Sequence, residues 1–198
     1  MGNNIKIICT LGPASLNSDF LKYSKNNIDL LRLNMSHLNE DDLLKNIKLV
    51  KKYTDCSLCI DTEGAQIRSK FKNKKFLKKN SILKTNTFGK NSFGLYPPIV
   101  QDQLKLKDIL SIGFENLKVQ VLKKTHSDIT FKVIDAGYLE DNKGIHLENR
   151  KIKLDSITNK DLRAIKIGWD NDISNYALSF TNDVKDIKYF NKITYNNS

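Results

Sequence analysis

The chain has 198 residues, of which 39% are hydrophobic and 28% are charged, and this much apolar material excludes a wholly disordered protein. Its 33 basic and 22 acidic residues give a formal net charge of +11, which favours an anionic partner without choosing among metabolite, nucleotide, polynucleotide and membrane surface. No stretch contains the roughly 18 apolar residues of a membrane span, and the first residues lack the apolar core of a signal peptide, so we expect a cytoplasmic protein.

The first third of the chain alternates short apolar runs with helical patterns. The apolar runs predict strands at 5–9, 28–33 and 57–60. Between them, the spacing of apolar side chains predicts a helix that begins at Ser18, its expected N-cap, and a second helix over 39–53. Strands that alternate with helices are typical of parallel βα units, in an open sheet or in part of a barrel.

The pattern changes near Arg68. Lysines dominate 70–79, and short β-type runs follow at 117–122 and 129–134. These features predict a separate, mostly β insertion that occupies 68–154. A lysine-rich run can bind a polyanion, but this one has no interleaved arginine, so we interpret it as a solvated face and expect no nucleic-acid partner.

After the insertion the βα pattern returns. A helix is predicted to begin at Thr158, with Asp161 three positions later. A strand is predicted at 176–180, and a last helix is predicted to start at 183 and end near 190. The chain therefore divides into an α/β domain made of 1–67 and 155–198, interrupted by the β insertion.

Three cysteines are too few for a disulfide framework. Cys56 and Cys59 form a C-x-x-C pattern inside an apolar run, whereas Cys9 stands alone. Positions three apart in a strand point to opposite faces, so core packing explains this pair better than a shared zinc or redox site.

Polar residues follow the first three predicted strands. They occupy 10–15, 32–37 and 61–68. The carboxyl ends of the strands of βα proteins meet on one face, so we expect these three segments to form a site.

The second of these segments carries residues suited to binding an anion and a cation. Arg32, Asn34 and Ser36 are spaced by two, and would project together if the strand continues. Arginine binds phosphate or carboxylate bidentately, while amide and hydroxyl oxygens with nearby Asp61 suit a hard cation. The alternative is that Arg32 and Asp61 form only a structural ion pair, and His37 by itself is more typical of loop packing.

These segments resemble the amino-terminal half of pyruvate kinase. The family's first strand ends in C-T-[IL]-G-P-[AS]-[SC], which 9–15 matches. Its second ends in A-R-[LMI]-N-F-S-H, matched at Arg32, Asn34, Ser36 and His37. Its third ends in D-T-[KR]-G-P-E-I-R, matched at Asp61, Thr62, Gly64, Ile67 and Arg68. The runs 136–147, 154–161 and 177–180 resemble later family segments in the same order, so the likeness covers almost the whole chain.

The resemblance implies a fold and a reaction. The fold would be part of a TIM-type (β/α)8 barrel, about four βα units, with an inserted small β-barrel domain that acts as a lid. The reaction would be the glycolytic transfer of a phosphoryl group from phosphoenolpyruvate to ADP, which gives pyruvate and ATP.

The resemblance also implies residue roles. Arg32 would be the catalytic residue that contacts the transferring phosphoryl group, and His37, Arg68 and Lys143 would bind the nucleotide phosphates. A potassium ion would be held by Asn34, Ser36, Asp61 and Thr62. Gln66 stands where potassium-dependent members have glutamate and independent members have lysine, which leaves the requirement for potassium open, and Glu63 replaces a basic residue.

The family's catalytic lysine and the carboxylates that bind Mg²⁺ lie beyond the segment that this chain matches. We therefore expect the isolated chain to be incomplete or inactive as a phosphotransferase. The alternative function is a non-catalytic or repurposed module that binds a phosphorylated ligand or nucleotide. Four strands would leave open sheet edges, so we also expect a homo-oligomer or a partner chain that completes the barrel.

Overall fold

A computed structural model describes residues 5–85, 93–113 and 117–195. The chain forms two compact units, one of Met1–Ala65 with Asp155–Ser198 and the other of Gln66–Leu154. The expected mixed α/β class is confirmed. Within the described ranges, no helix is both long and apolar enough to cross a membrane.

The first unit begins with alternating strands and helices. They are β1 (Ile8–Thr10), α1 (Ser18–Ser24), β2 (Leu30–Asn34), α2 (Glu40–Tyr53) and β3 (Leu58–Asp61).

The second unit follows, and it is mostly β. Its first strands are β4 (Ile67–Lys70), β5 (Lys75–Leu77), β6 (Ile82–Lys84) and β7 (Gly94–Tyr96), followed by the short helix α3 (Ile99–Gln103). Its remaining strands are β8 (Ile109–Ile112), β9 (Leu117–Lys124), β10 (Ile129–Asp135), β11 (Gly137–Leu139) and β12 (Gly144–Leu147). Seven of these strands form one sheet in the order β6-β10-β9-β8-β12-β4-β7, while β11 and β5 pair separately.

The chain then returns to the first unit through α4 (Asn159–Trp169), β13 (Asn175–Ala177) and α5 (Val184–Tyr195). The strands of this unit form a parallel sheet in the order β1-β2-β3-β13.

The alternating direction of side chains in β2 determines which residues face the core and which can form a site. Leu31 and Leu33 are fully buried in the core with helix residues such as Leu43. Arg32 and Asn34 alternate with them and are only partly buried. Because successive strand residues point to opposite faces, the polar side chains share the face away from that core.

Several predicted boundaries were wrong. Asn17, not Ser18, caps α1, because its side-chain oxygen accepts hydrogen bonds from the backbone N–H groups of Asp19 and Phe20. The predicted strand over 176–180 ends at Ala177, and Phe180 has a positive φ of 57° that a strand does not allow.

The last helix is longer than predicted. It continues to Tyr195, beyond the expected end near 190. Phe190 is buried with Ile157 and Ile165, and Ile193 packs against the same cluster, so apolar contacts with the α4 region favour the additional turn.

Candidate functional site

The candidate site lies where β2 and β3 end side by side. Asn34 pairs with Asp61 in the parallel register, and Arg32 pairs with Cys59. The ladder extends one step further, because the Met35 N–H donates to the Asp61 carbonyl oxygen at 2.9 Å. The first unit thus brings the second and third predicted site segments together.

Arg32 is held in place by two side chains. Its Nε donates to Thr10 Oγ1 at 2.9 Å, and its Nη1 lies 3.3 Å from Asp61 Oδ2. The Arg32 side chain remains 35% exposed, whereas that of Asp61 is only 4% exposed. The ion pair that the sequence left open as an alternative is present, and the Arg32 side chain that it orients is still partly exposed.

Asp61 has a second partner that sequence reasoning did not assign. Its Oδ1 accepts a hydrogen bond from Ser179 Oγ at 2.7 Å, and the Ser179 N–H donates to Thr62 Oγ1 at 3.0 Å. Ser179 follows β13, so the neighbouring strand contributes to the same group of side chains. The only available signal was its place in the run 177–180, which resembles a family segment.

The residues after β2 form a compact turn. Asn34 Oδ1 accepts a hydrogen bond from the Ser36 N–H at 2.9 Å, and the Asn34 carbonyl accepts one from the His37 N–H at 3.1 Å. Ser36 is buried, whereas His37 is exposed. This turn holds Asn34 and Ser36 close to each other at the strand end.

The loop after β3 is fixed by the first turn of α4. Asp161 is fully buried, and its carboxylate accepts hydrogen bonds from the N–H groups of Glu63 at 2.7 Å and Gly64 at 3.3 Å. The same carboxylate closes a capping box with Thr158. Thr158 and Asp161 were predicted only as a helix start, because their contact with the loop joins positions almost 100 residues apart.

Gly64 allows this loop to pass close to Ser179. Its φ is +63°, and a Cβ at this position would lie 2.2 Å from the Ser179 carbonyl oxygen. A side chain does not fit here, so glycine is required both by the backbone conformation and by the space.

The cysteine pattern serves packing. Cys59 is buried, and this burial, with a smaller effect of the nearby Asp61 carboxylate, raises the pKa of its thiol to about 11. In the described ranges, no group of three or more His, Cys, Asp and Glu side chains is placed to hold a metal ion.

The other predicted nucleotide-binding residues belong to the second unit. Arg68 pairs with Gly144 across β4 and β12, and its Nη1 donates to the Asn142 carbonyl at 3.1 Å. Lys143 Nζ lies 2.8 Å from Glu140 Oε2, and Lys74 binds the other oxygen of this carboxylate. Hydrogen bonds from Lys143 and Lys74 lower the pKa of Glu140. The roles of Arg68 and Lys143 at nucleotide phosphates stay predictions.

Gln66, at the position that bears on potassium dependence, lies beside Gly144 in the second unit. A Cβ added to Gly144 would be 2.7 Å from Gln66 Nε2. Gln66 Oε1 is buried and has no hydrogen-bond partner among the described residues.

Comparison with known proteins identifies the family. The chain matches the family described as pyruvate kinase, barrel domain, over residues 2–198. It is 31% identical to plastidial pyruvate kinase 3, chloroplastic, of Arabidopsis thaliana, over 91% of this chain and 34% of that protein. It is 30% identical to a pyruvate kinase of Staphylococcus haemolyticus, over 92% of this chain and 34% of that protein. It is 32% identical to a pyruvate kinase of Buchnera aphidicola subsp. Schizaphis graminum, over 92% of this chain and 41% of that protein.

The chain thus spans between about a third and two fifths of the length of these relatives. The match extends over the whole described part of the chain and includes the ends of β2 and β3, where Arg32 and Asp61 meet. The chain belongs to the pyruvate kinase family.

Proposed function

We propose that this chain supplies the phosphoryl-binding part of a pyruvate-kinase-type phosphotransferase, which uses phosphoenolpyruvate and ADP in glycolysis. The observation that supports this most directly is that the Arg32 side chain is both oriented and exposed. Thr10 and Asp61 orient its guanidinium at the carboxyl end of the sheet, yet a third of the side chain remains exposed. An arginine that binds an external anion must be both oriented and accessible, and Arg32 meets both conditions.

The chemistry of phosphoryl transfer fits such a group. The protein contributes mainly positioning and charge stabilisation, since the transferring group carries its negative charge on oxygens. A guanidinium offers donors in a planar fork that matches these oxygens. Arg32 would bind the transferring phosphoryl group, and Asp61 would keep the fork in place.

A potassium ion is the cofactor that the strand ends suit. The proposed ligands are oxygen donors: Asn34, Ser36, Asp61 and Thr62. Oxygens of amide, hydroxyl and carboxylate groups are the donors that hard cations prefer. Asn34 Oδ1 and Thr62 Oγ1 each accept one backbone hydrogen bond, and an oxygen with two lone pairs can also face a cation. The ion would place positive charge beside the phosphoryl group that Arg32 binds.

The second unit is proposed to be the lid of a partial TIM-type barrel that contains about four βα units. Arg68 and Lys143 would reach nucleotide phosphates from this unit, and His37 would do so from the turn after β2. The family's Mg²⁺ would complete the charge neutralisation, with protein ligands outside the matched segment. Full activity would then need further residues, from the same polypeptide or from another chain.

The two edge strands of the parallel sheet in the first unit favour pairing with strands of another chain. Within the described residues, β1 and β13 are the outer strands of the parallel sheet. Ile8 of β1 is exposed, as are Ile5 and Ile7 before it. Unpaired backbone groups beside exposed apolar side chains favour pairing with further strands. We propose that a second copy or a partner chain covers these edges.

Arginine side-chain NMR tests directly whether the Arg32 guanidinium binds the ligand. Arginine occurs only at Arg32, Arg68, Arg150 and Arg163, so the Nε–Hε spectrum of the ¹⁵N-labelled chain is simple to assign by substitution. Phosphoenolpyruvate should shift the Arg32 signal in a saturable manner. The exposed Arg163, which pairs with Glu40, is the matched control and should stay unchanged.

A second measurement separates binding from catalysis. Arg32→Ala should lose phosphoenolpyruvate binding and Arg163→Ala should keep it, while a coupled assay with ADP, Mg²⁺ and K⁺ measures pyruvate formation. Binding without turnover fits both an incomplete phosphotransferase and a non-catalytic module, whereas turnover by the isolated chain would refute the expectation that further residues are needed. Equal affinity of Arg32→Ala and wild type would refute the assignment of Arg32, and replacing K⁺ by Na⁺ without effect on affinity would refute the cation site.

A further inference from the structure

A partly buried lysine, Lys160, joins the two loops that follow β2 and β3. Lys160 Nζ donates to the Met35 carbonyl oxygen at 2.6 Å and to Glu63 Oε2 at 3.0 Å. The Lys160 side chain is 23% exposed and that of Glu63 only 7%. One ammonium group, placed by the first turn of α4, therefore binds both loops at once.

The residue next to it strengthens the same attachment. Asp161 accepts hydrogen bonds from the backbone of Glu63 and Gly64, while Lys160 holds the Glu63 side chain. Adjacent residues of one helix thus fix both the backbone and the side chain of the β3 loop. Since α4 begins with a capping box at Thr158, the position of Lys160 is itself well defined.

The contacts lie immediately beyond the candidate anion site. Met35 follows Asn34 at the end of β2, and Glu63 comes two residues after Asp61, the partner of Arg32. The strand ladder ends with the hydrogen bond between the Met35 N–H and the Asp61 carbonyl. Beyond that bond, Lys160 connects the β2 loop to the β3 loop.

We infer that Lys160 is a positioning residue, whose bridge from Met35 to Glu63 keeps the ends of β2 and β3 at the spacing that lets Arg32 bind a phosphorylated ligand. This inference rests on the proposed anion binding at Arg32. Lys160 acts without touching the ligand, and its charge is balanced by Glu63, so its effect is on geometry. A charge-assisted hydrogen bond in a partly buried site is strong enough to hold the loops in their binding geometry. Its loss lowers the equilibrium constant that favours this geometry by about tenfold or more.

The test compares Lys160→Met with Arg163→Met, a control on the exposed side of the same helix. Phosphoenolpyruvate is titrated while the Arg32 Nε–Hε signal is followed. We expect Lys160→Met to weaken binding about tenfold or more, Arg163→Met to bind like wild type, and Lys160→Arg to recover most of the affinity because arginine can donate to both partners.

Amide hydrogen exchange provides a readout that is independent of the ligand. In Lys160→Met, the Met35 amide should exchange about tenfold faster or more. The Leu31 amide, which donates to the Ser57 carbonyl at 2.9 Å at the other end of the same strands, should be unchanged. This pattern separates a local loosening of the loops from a general loss of stability.

Lys160→Met leaves the Glu63 carboxylate buried without its lysine, which can prevent folding. The double variant Lys160→Met/Glu63→Gln removes the bridge without leaving that charge, and the same losses of affinity and protection are expected. Wild-type affinity in either folded variant would overturn the inference. A wild-type chain whose Arg32 signal does not respond to phosphoenolpyruvate would instead refute the proposed function.

Discussion

Asp161→Ala is predicted to destabilise the first unit strongly, because it removes a fully buried carboxylate with several hydrogen bonds. The fully buried carboxylate accepts hydrogen bonds from the N–H groups of Glu63, Gly64 and Thr158, and also from the Thr158 hydroxyl. Alanine removes every one of these acceptors. Two of the N–H donors that lose their acceptor, those of Glu63 and Gly64, belong to buried residues.

The magnitude follows from these donors. Each buried donor left without a partner costs about 1–3 kcal/mol, and loss of a helix cap costs about 0.5–2 kcal/mol. Two such donors and the cap together give about 2.5–8 kcal/mol. Because the hydrogen bond from Gly64 is long at 3.3 Å, we expect Asp161→Ala to lower the free energy of unfolding of the first unit by an amount in the lower part of this range, about 3–5 kcal/mol. That is a large fraction of the roughly 5–15 kcal/mol that stabilises a typical domain.

Asp42→Ala is the matched control. Asp42 stands three residues after its N-cap Asn39, as Asp161 does after Thr158, but Asp42 is exposed. Both substitutions remove the same favourable charge near a helix N-terminus, which contributes about 0.3–1 kcal/mol. The difference between the two variants therefore isolates the hydrogen bonds that the Asp161 carboxylate accepts from the β3 loop and from Thr158.

Urea unfolding followed by tryptophan fluorescence measures this difference. The single tryptophan, Trp169, ends α4, so the signal reports on the first unit. With an m value of about 2 kcal/mol per M, a difference of 3 kcal/mol separates the midpoints by about 1.5 M. Midpoints within about 0.3 M of each other, at equal m, would show that the Asp161 contacts contribute no more than a helix-end charge.

Three further predictions concern backbone, thiol and assembly. Gly64→Ala should lower stability by more than about 2 kcal/mol, because the positive φ and the nearby Ser179 carbonyl both oppose a Cβ. At Gly12 an added Cβ meets nothing within 4 Å, so the stability of the control Gly12→Ala should stay within about 0.5 kcal/mol of wild type. Equal melting temperatures of the Gly64→Ala and Gly12→Ala variants would contradict this prediction. The pKa of the Cys59 thiol is raised from 9.0 to about 11, chiefly by burial and then by Asp61. The thiol therefore stays protonated at pH 8, and its thiolate fraction falls about a hundredfold. Rapid alkylation of Cys59 by iodoacetamide in the folded chain would refute this. Light scattering at micromolar concentration should detect a dimer or larger species, and a monomer with a cooperative melt would rule out pairing through the β1 and β13 edges.

Local patterns were sufficient to predict much of the first unit. The spacing by two of Arg32 and Asn34 predicts that both side chains lie on one face of β2, because strand side chains alternate in direction. The spacing of Thr158 and Asp161 predicts a helix start, because capping depends on residues three positions apart. The motif order was specific enough to indicate the family, which the comparisons confirm.

The same local patterns did not fix where elements end. The first strand starts at Ile8 instead of residue 5, and α5 runs to Tyr195. Those limits depend on pairing with β2 and on packing around Phe190, neither of which is encoded by neighbours in the sequence.

Only the tertiary structure decided which polar groups meet. Ser179 reaches Asp61 across 118 positions, and Lys160 reaches Met35 across 125. Each contact requires that parallel strands and α4 are already packed, so no periodicity or spacing along the chain can predict it. The sequence by itself determined which residue types stand at the strand ends. Long-range packing determined that Asp61 is shared between Arg32 and Ser179, and that one lysine holds the two loops beside them.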